Sequence, residues 1–488
     1  MTHPPPAGAP PSPGGPQAGT LSLAALACLV VGSMVGGGIF SLPQAFGAAT
    51  GILGALIAWG LVGTGMLMLA FVFQALALRR PDIDAGIYAY AQAGFGPYAG
   101  FIAALSYWAS AVLGNVAFLV LVMSTLGSYV PMFGDGDTLP ALAGASALLW
   151  TFHVLLLRGV KEAAAINTIV TVAKLVPLAA FLVIVGVSAR PDLLQMNIFG
   201  GATPSLSAIF EQVRQTMLVV VFVFLGIEGA SVYSRLARRR EDVGRATVLG
   251  FLGVLSLFVL VTVLSYGVMP RAELAQLHNP SVAGVLSAVI GDAGTAFVSL
   301  GVLVSVLGAF LAWSLLAAEV LYSAAKHGTM PRVLAGENRN GAPAPAIWAS
   351  TLAAQVFLLL ILFAESAFRF FVDLTSATAL IPYLFVAAFG LSLAWSGASY
   401  EGQAQARRLD LVRAGIATFC AAGLIYAGGL KLLLLSSLLF APGTALFIMV
   451  RREQRTRLFS GREAGAAVII LLAALVAAYG LVSGDIVL

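Results

Sequence analysis

Charge is scarce in this chain. Of its 488 residues only 10% are Asp, Glu, Lys or Arg, against about 25% in an ordinary soluble domain. Hydrophobic residues make up 60% and the mean hydropathy is +0.97, which excludes a soluble globular domain. Cysteine is nearly absent: Cys28 and Cys420 both lie in apolar stretches and give neither a disulfide framework nor a thiolate cluster. The four histidines show no metal-ligand spacing. A nucleotide-binding loop and a nucleophile elbow are also lacking, which argues against a primary pump and against a membrane enzyme. No metal and no cofactor is called for. A period-2 alternation is missing too, so apolar segments read as helices and not as barrel strands.

What is present is a series of apolar runs. About thirteen of them reach the roughly 20 residues that a bilayer crossing needs. The net charge of +5 does not point to nucleic acid, because the basic residues collect in alternate loops. Twenty of the 26 fall in six of them, including Arg79–Arg80, Arg235–Arg245 and Arg451–Arg462. The positive-inside rule then predicts a cytoplasmic amino terminus, and thirteen crossings put the carboxyl terminus outside. Residues 1–20 are rich in Pro and Gly and read as a disordered cytoplasmic tail. They lack the basic region of a cleaved signal peptide.

Two spans carry features that a continuous helix would avoid. The first contains Gly32-Ser33-Met34-Val35-Gly36-Gly37-Gly38-Ile39-Phe40, and each glycine weakens a helix by about 1 kcal/mol relative to alanine. The sixth contains Gly226-Ile227-Glu228-Gly229-Ala230-Ser231. Broken helices at bilayer depth persist where the freed backbone lines a cavity or meets a ligand. Breaks at matching places in two halves indicate an inverted-repeat transporter. The expected architecture is therefore an all-α polytopic membrane protein with a five-plus-five repeat. Residues 21–188 form the first repeat (spans 1–5), 205–397 the second (spans 6–10), and 410–488 three peripheral spans. The loops Arg79–Gly96 and Lys326–Pro345 read as cytoplasmic elements that move with gating.

The freed amides of Gly36, Gly37 and Gly38 suit a carboxylate, since they point the positive end of a half-helix into the cavity. Glu228 marks a substrate or ion path, and three roles stay open for it: meeting a cationic substrate, carrying a proton, or pairing with a basic side chain. Lys174 sits mid-span, too deep to snorkel, and needs oxygen partners. The carbonyls of the span-one break are the natural candidates. A fixed ammonium there would replace a sodium ion and make transport independent of sodium. Tyr107, Trp108 and Asn115 are spaced to share one broad face of span three. Trp313 and Phe222 offer aromatic faces to a cation, Ser376 and Thr378 offer hydroxyls, Gly226 offers free backbone and Ser33 stands beside the first break. His153 reads as a packed histidine.

With both breaks placed, a family resemblance follows. G-S-M-V-G-G-G-I-F-S-L-P resembles the first-span signature of the amino acid–polyamine–organocation superfamily, F-V-F-L-G-I-E-G-A-S-V its sixth-span motif and A-W-S-L-L-A-A-E its eighth. The likeness covers nearly the whole chain beyond the tail. It is nearest to the basic amino acid/polyamine antiporters, arginine/ornithine antiporters in particular, and a thirteenth span fits that branch. The resemblance implies a mid-membrane site in which Asn115, Trp313 and Glu228 match substrate-site residues, and Lys174 matches the span-five lysine of sodium-independent relatives. Ser314, in the span-eight motif, is grouped with Lys174 as a structural partner. Two departures stand out. Phe222 replaces a gating tryptophan and Ser33 replaces an asparagine. The implied function is exchange of a cationic amino acid, arginine for ornithine, across a bacterial inner membrane. The alternatives are uptake of lysine or another amino acid by the same fold and, more remotely, an amino-acid sensor without flux. The expected partners are small amino acids and the lipid bilayer, with a homodimer left open.

Overall fold

The computed structural model describes residues 22–83, 86–159, 163–201, 205–228, 240–364 and 366–486, so the expected tail and Gly229–Ser231 of the second break lie outside the described residues. All regular structure among them is helical. Span 1 is α1 (Leu23–Met34) and α2 (Leu42–Ala49), joined through a 3-10 turn at Gly38–Ser41. Span 2 is α3 (Ile52–Arg79), followed by a short helix α4 (Ile87–Phe95). Spans 3 to 5 are α5 (Pro97–Gly127), α6 (Leu139–Leu157) and α7 (Ala163–Ser188). Span 6 opens with α8 (Leu206–Phe224), span 7 is α9 (Arg240–Tyr266), and a short α10 (Ser281–Ile290) follows. Spans 8 to 10 are α11 (Asp292–Lys326), α12 (Ala344–Leu359) and α13 (Ala367–Ser396). The chain closes with α14 (Ala404–Glu453) and α15 (Gly461–Ser483).

Ten of these helices are long and apolar enough to cross a bilayer, and the bent pair α1–α2 makes an eleventh. The 50-residue α14 is two crossings in one, since Gly429 interrupts it at φ +82°, a conformation that glycine alone adopts freely. The count among the described residues is thus ten to eleven against the roughly thirteen crossings expected from the sequence; the difference lies in the two halves of α14 and in α7, whose described apolar part is Lys174–Ser188. Starts are marked by local chemistry. Thr138 and Ser205 accept the backbone N–H three residues on, and Ser460 with Glu463 forms a reciprocal capping box at α15.

The packing partners repeat with a shift of five spans. Span 1 packs on span 7, and span 6 on span 2. Span 3 packs on span 10, and span 8 on span 5. Spans 3 and 8 meet each other, as do spans 4 and 9. The short helices obey the same exchange: α4 lies on span 3 and α10 on span 8. This is the pattern that two inverted five-span units generate. Small residues permit the closest crossings. A Cβ at Gly301 of span 8 would fall 2.2 Å from the Pro177 ring of span 5.

Two polar layers cap opposite ends of the bundle. At one end Arg271 donates to Gly47 O (2.9 Å), Gly200 O (2.6 Å) and Ala48 O (3.3 Å), covering carbonyls at the end of α2. Asn197 beside it donates to Tyr266 O and Met269 O. At the other end Arg79 pairs with Asp410 at 3.1 Å and lies 3.6 Å over the Tyr400 ring. Asn338 and Asn340 there both donate to Leu157 O. The two loops expected to move differ in build. Arg79–Gly96 holds the helix α4, whereas Lys326–Pro345 holds only a 3-10 turn at Arg332–Ala335. Thr329 of the second donates to Gln92 of the first at 3.1 Å, and Tyr88 of the first meets Ser323 in the last turn of α11 at 3.0 Å.

Arg271→Ala removes three charge-assisted hydrogen bonds to carbonyls, a loss of about 2 kcal/mol or more. Thermal unfolding of the detergent-solubilised protein should show a lowered melting temperature, partly restored in Arg271→Lys. An unchanged melting temperature would remove Arg271 from the account of how α2, the second half of span 1, is held.

Candidate functional site

Helix α1 ends at Met34, and the chain resumes as α2 only after Val35–Gly37 and the 3-10 turn, bending by 49°. The N–H groups of Gly36, Gly37 and Gly38 donate to no acceptor among the described residues. The glycines are demanded by close approach to different degrees. A Cβ at Gly38 would lie 2.8 Å from the Phe222 ring and from Val223, and one at Gly37 would lie 2.9 Å from Phe118. At Gly36 the nearest atom would be 3.6 Å away, an ordinary contact.

The second break begins at Leu225, immediately after α8. Gly226 has φ +101°, and a Cβ there would stand 2.6 Å from Ser33 O. The two breaks therefore touch. Ser33 Oγ lies 3.1 Å from Gly226 O and 2.8 Å from Val30 O, bridging the last turn of α1 to the opening of span 6. Lys174 is 3% exposed, and its Nζ donates to Gly32 O at 2.5 Å. An ammonium thus sits on the carbonyl end of a half-helix, where the macrodipole is negative.

Glu228 is held by hydroxyls. Tyr107 donates to Oε1, Tyr383 donates to Oε2 at 2.6 Å, and Gly226 N lies 3.2 Å from Oε2. One buried carboxylate consequently joins span 3, span 10 and the span-six break. Tyr383 gave no signal in the sequence, because a tyrosine in an apolar span looks like packing.

The aromatic residues converge on the glycines through a residue that the sequence reading did not single out. Phe118 touches Gly37 and packs 6.1 Å from Phe222 and 5.7 Å, edge-on, from Trp313 (ring centroids). Trp313 in turn covers Gly114, where a Cβ would come within 2.9 Å. Its position one turn past Gly114 on α5 was the only available clue.

Other expected groups point elsewhere. Tyr107, Trp108 and Asn115 do not share a face. Tyr107 meets Glu228, Trp108 Nε1 donates to Ser350 Oγ (2.9 Å), and Asn115 meets Ser314 Oγ (3.2 Å). Eight residues on a helix leave a rotation of roughly 80°, enough to separate them. With its amide turned to satisfy both ends, Asn115 donates to Phe310 O (3.3 Å) and accepts from Ser314 N (3.2 Å), entering the hydrogen-bond ladder of α11. Ser376 Oγ lies 2.8 Å from Leu218 O and Thr378 Oγ1 2.8 Å from Leu374 O, so both hydroxyls face backbone carbonyls. His153 is packed, as read from the sequence, with Nδ1 on Thr351 and its ring against Trp150 and Trp348. No group of three or more metal-ligating side chains occurs among the described residues.

A broken first span that meets the chain at the end of α8, amides at the break with no acceptor among the described residues and a buried ammonium on its carbonyl side are the features of a secondary transporter of the broken-helix class. Residues 21–428 match the amino acid permease family, and the chain belongs to it. It is 51% identical over 474 residues to an arginine/ornithine antiporter of Pseudomonas aeruginosa, spanning 96% of this chain and 98% of that one. It is 38% identical to an L-lysine transport protein of Corynebacterium glutamicum, with 96% of each covered. With an arginine/agmatine antiporter of Chlamydia abortus the identity is 37%, over 94% of this chain and 96% of that protein.

The glycine contacts rank three substitutions. Gly38→Ala and Gly226→Ala should each lower stability by about 1–3 kcal/mol through overpacking, with Gly226 strained further by its positive φ. Gly36→Ala should leave the melting temperature near the wild-type value. Equal effects at Gly36 and Gly38 would contradict the tight seat assigned to Gly38.

Proposed function

We propose that this chain is a sodium-independent antiporter of the bacterial inner membrane that exchanges cationic amino acids, arginine for ornithine, by alternating access. The observation that carries the reading is the contact of the two breaks through Ser33 and Gly226, beside the unpaired amides of Gly36–Gly38. The substrate α-carboxylate takes those amides, and its α-amino group takes carbonyls freed at the two breaks. The side-chain cation lies against Trp313, Phe118 and Phe222, whose faces attract a cation. Glu228, fixed by Tyr107 and Tyr383, supplies negative potential at the break and does not need to touch the substrate. Lys174 holds the end of α1 as a bound sodium ion would. Residues 21–188 and 205–397 are the two repeats and 410–488 the peripheral spans, with the amino terminus cytoplasmic and the carboxyl terminus outside.

The names of the arginine/ornithine and arginine/agmatine relatives support the cationic substrate pair. A second reading, lysine transport, draws support from the Corynebacterium glutamicum relative. Backbone recognition of the carboxylate and amine would serve lysine equally.

Counterflow separates these readings. Proteoliposomes preloaded with ornithine should take up labelled arginine several-fold faster than empty ones, with no dependence on a sodium gradient. Uptake indifferent to internal substrate would overturn the antiporter reading, and lysine outcompeting arginine would favour the second. Lys174→Ala should lose at least about tenfold in rate, the equivalent of one charge-assisted hydrogen bond of about 1.5–3 kcal/mol, while remaining monodisperse on size exclusion.

A further inference from the structure

Five arginines lie between α14 and α15 or in their adjoining turns, in the run R-R-E-Q-R-T-R-L-F-S-G-R from Arg451 to Arg462. The two carboxylates at hand accept backbone N–H groups and form no ion pair with them. Glu453 accepts the backbone N–H of Arg332 (3.2 Å), and Glu463 accepts those of Ser460 (2.7 Å) and Tyr98 (3.0 Å). Arg451 is folded into the loop, donating to Arg457 O at 2.7 Å. Arg452, Arg455, Arg457 and Arg462 are exposed. Among the described residues none of the five forms an ion pair.

The loop is also built and held. Thr456 N donates to Arg451 O at 3.0 Å, and Arg455 sits at φ +54°, the one non-glycine residue with positive φ among the described residues. Gln454 donates to Gly328 O (2.6 Å) at the end of α11. Glu463 binds Tyr98 at the start of α5, and Phe459 packs on the Tyr98 ring. Beyond the loop α15 presents exposed apolar side chains, Ile469, Leu475 and Val482 among them. The guanidinium groups therefore stand where the lipid-facing surface ends, at headgroup level. Clustered basic residues at that level attract anionic lipid, each contributing roughly fivefold, and a guanidinium matches a phosphate with two parallel donors.

We propose that the Arg451–Arg462 loop binds the headgroup of an anionic phospholipid, and that occupancy steadies the neighbouring ends of α5 and α11 through Glu463–Tyr98 and Gln454–Gly328. The site lies apart from the paired helix breaks and would act on exchange by fixing the scaffold end against which the breaks move.

The test uses the full chain and the variant R452Q/R455Q/R457Q/R462Q. Native mass spectrometry after extraction from phosphatidylglycerol-containing membranes should find phosphatidylglycerol on the wild type and at least about tenfold less on the variant. In phosphatidylcholine vesicles the two should exchange substrate at the same rate. Added phosphatidylglycerol should then speed the wild type several-fold and leave the variant unchanged. Equal lipid retention by the two proteins, or an equal response to phosphatidylglycerol, would overturn the proposal. Inorganic phosphate reproducing the effect in phosphatidylcholine vesicles would overturn its assignment to lipid. The retention measurement needs no knowledge of the transported substrate, so it fails or succeeds independently of the antiporter reading.

Discussion

Everything near the middle of this protein follows from one constraint: a helix cut at bilayer depth leaves N–H and C=O groups that water cannot satisfy. The protein answers by bringing its two cuts together. Ser33 meets Gly226 O, Lys174 takes Gly32 O, and Glu228 takes Gly226 N. These three contacts dispose of exposed groups on the carbonyl side of the first break and at the opening of the second. Among the described residues the amides of Gly36–Gly38 have no acceptor, and an N–H left over in an apolar surround is one whose satisfaction brings a gain.

Charge is handled in the same way. The ammonium of Lys174 and the carboxylate of Glu228 are both buried, each with polar partners of its own on neighbouring helices. Tyr107 and Tyr383 hold Glu228 through hydroxyls, each of which satisfies a lone pair without adding a unit of charge. The aromatic train of Phe118, Phe222 and Trp313 lies across the glycines and supplies surface that a cation finds attractive and water does not.

The sequence made the breaks legible because glycine runs and lone charges contradict their apolar surroundings. Gly36–Gly38, Gly226, Glu228 and Lys174 stand out on that ground alone. The same logic fails for residues that agree with their surroundings. Phe118 and Tyr383 are aromatic residues in apolar helices, and nothing in their spacing separates a wall of a site from ordinary packing. Facing was the second failure. Tyr107 and Asn115 are close enough in sequence to suggest a shared face, yet they are rotated apart and meet different helices. Ser376 was legible as a hydroxyl in a span, but not as one directed at Leu218 O. Crossings were well marked by length and hydropathy, while the short α10 was hidden in a loop that the reading passed over.

The two polar end layers have a property that concerns how the sequence can drift. Arg271, Asn197, Asn338, Asn340 and Gln454 all donate to backbone carbonyls, at Gly47, Gly200, Tyr266, Leu157 and Gly328 among others. A carbonyl is present whatever side chain its residue bears. The hydrogen bond itself is therefore sensitive to substitution at the donor end only. Space fixes several acceptors for a second reason: a Cβ at Gly47, Gly200 or Gly328 would stand 2.6 Å from Leu274, 2.8 Å from Arg271 or 2.7 Å from Gln454. Those links constrain both ends, while Leu157 can change without losing the carbonyl that Asn338 and Asn340 use.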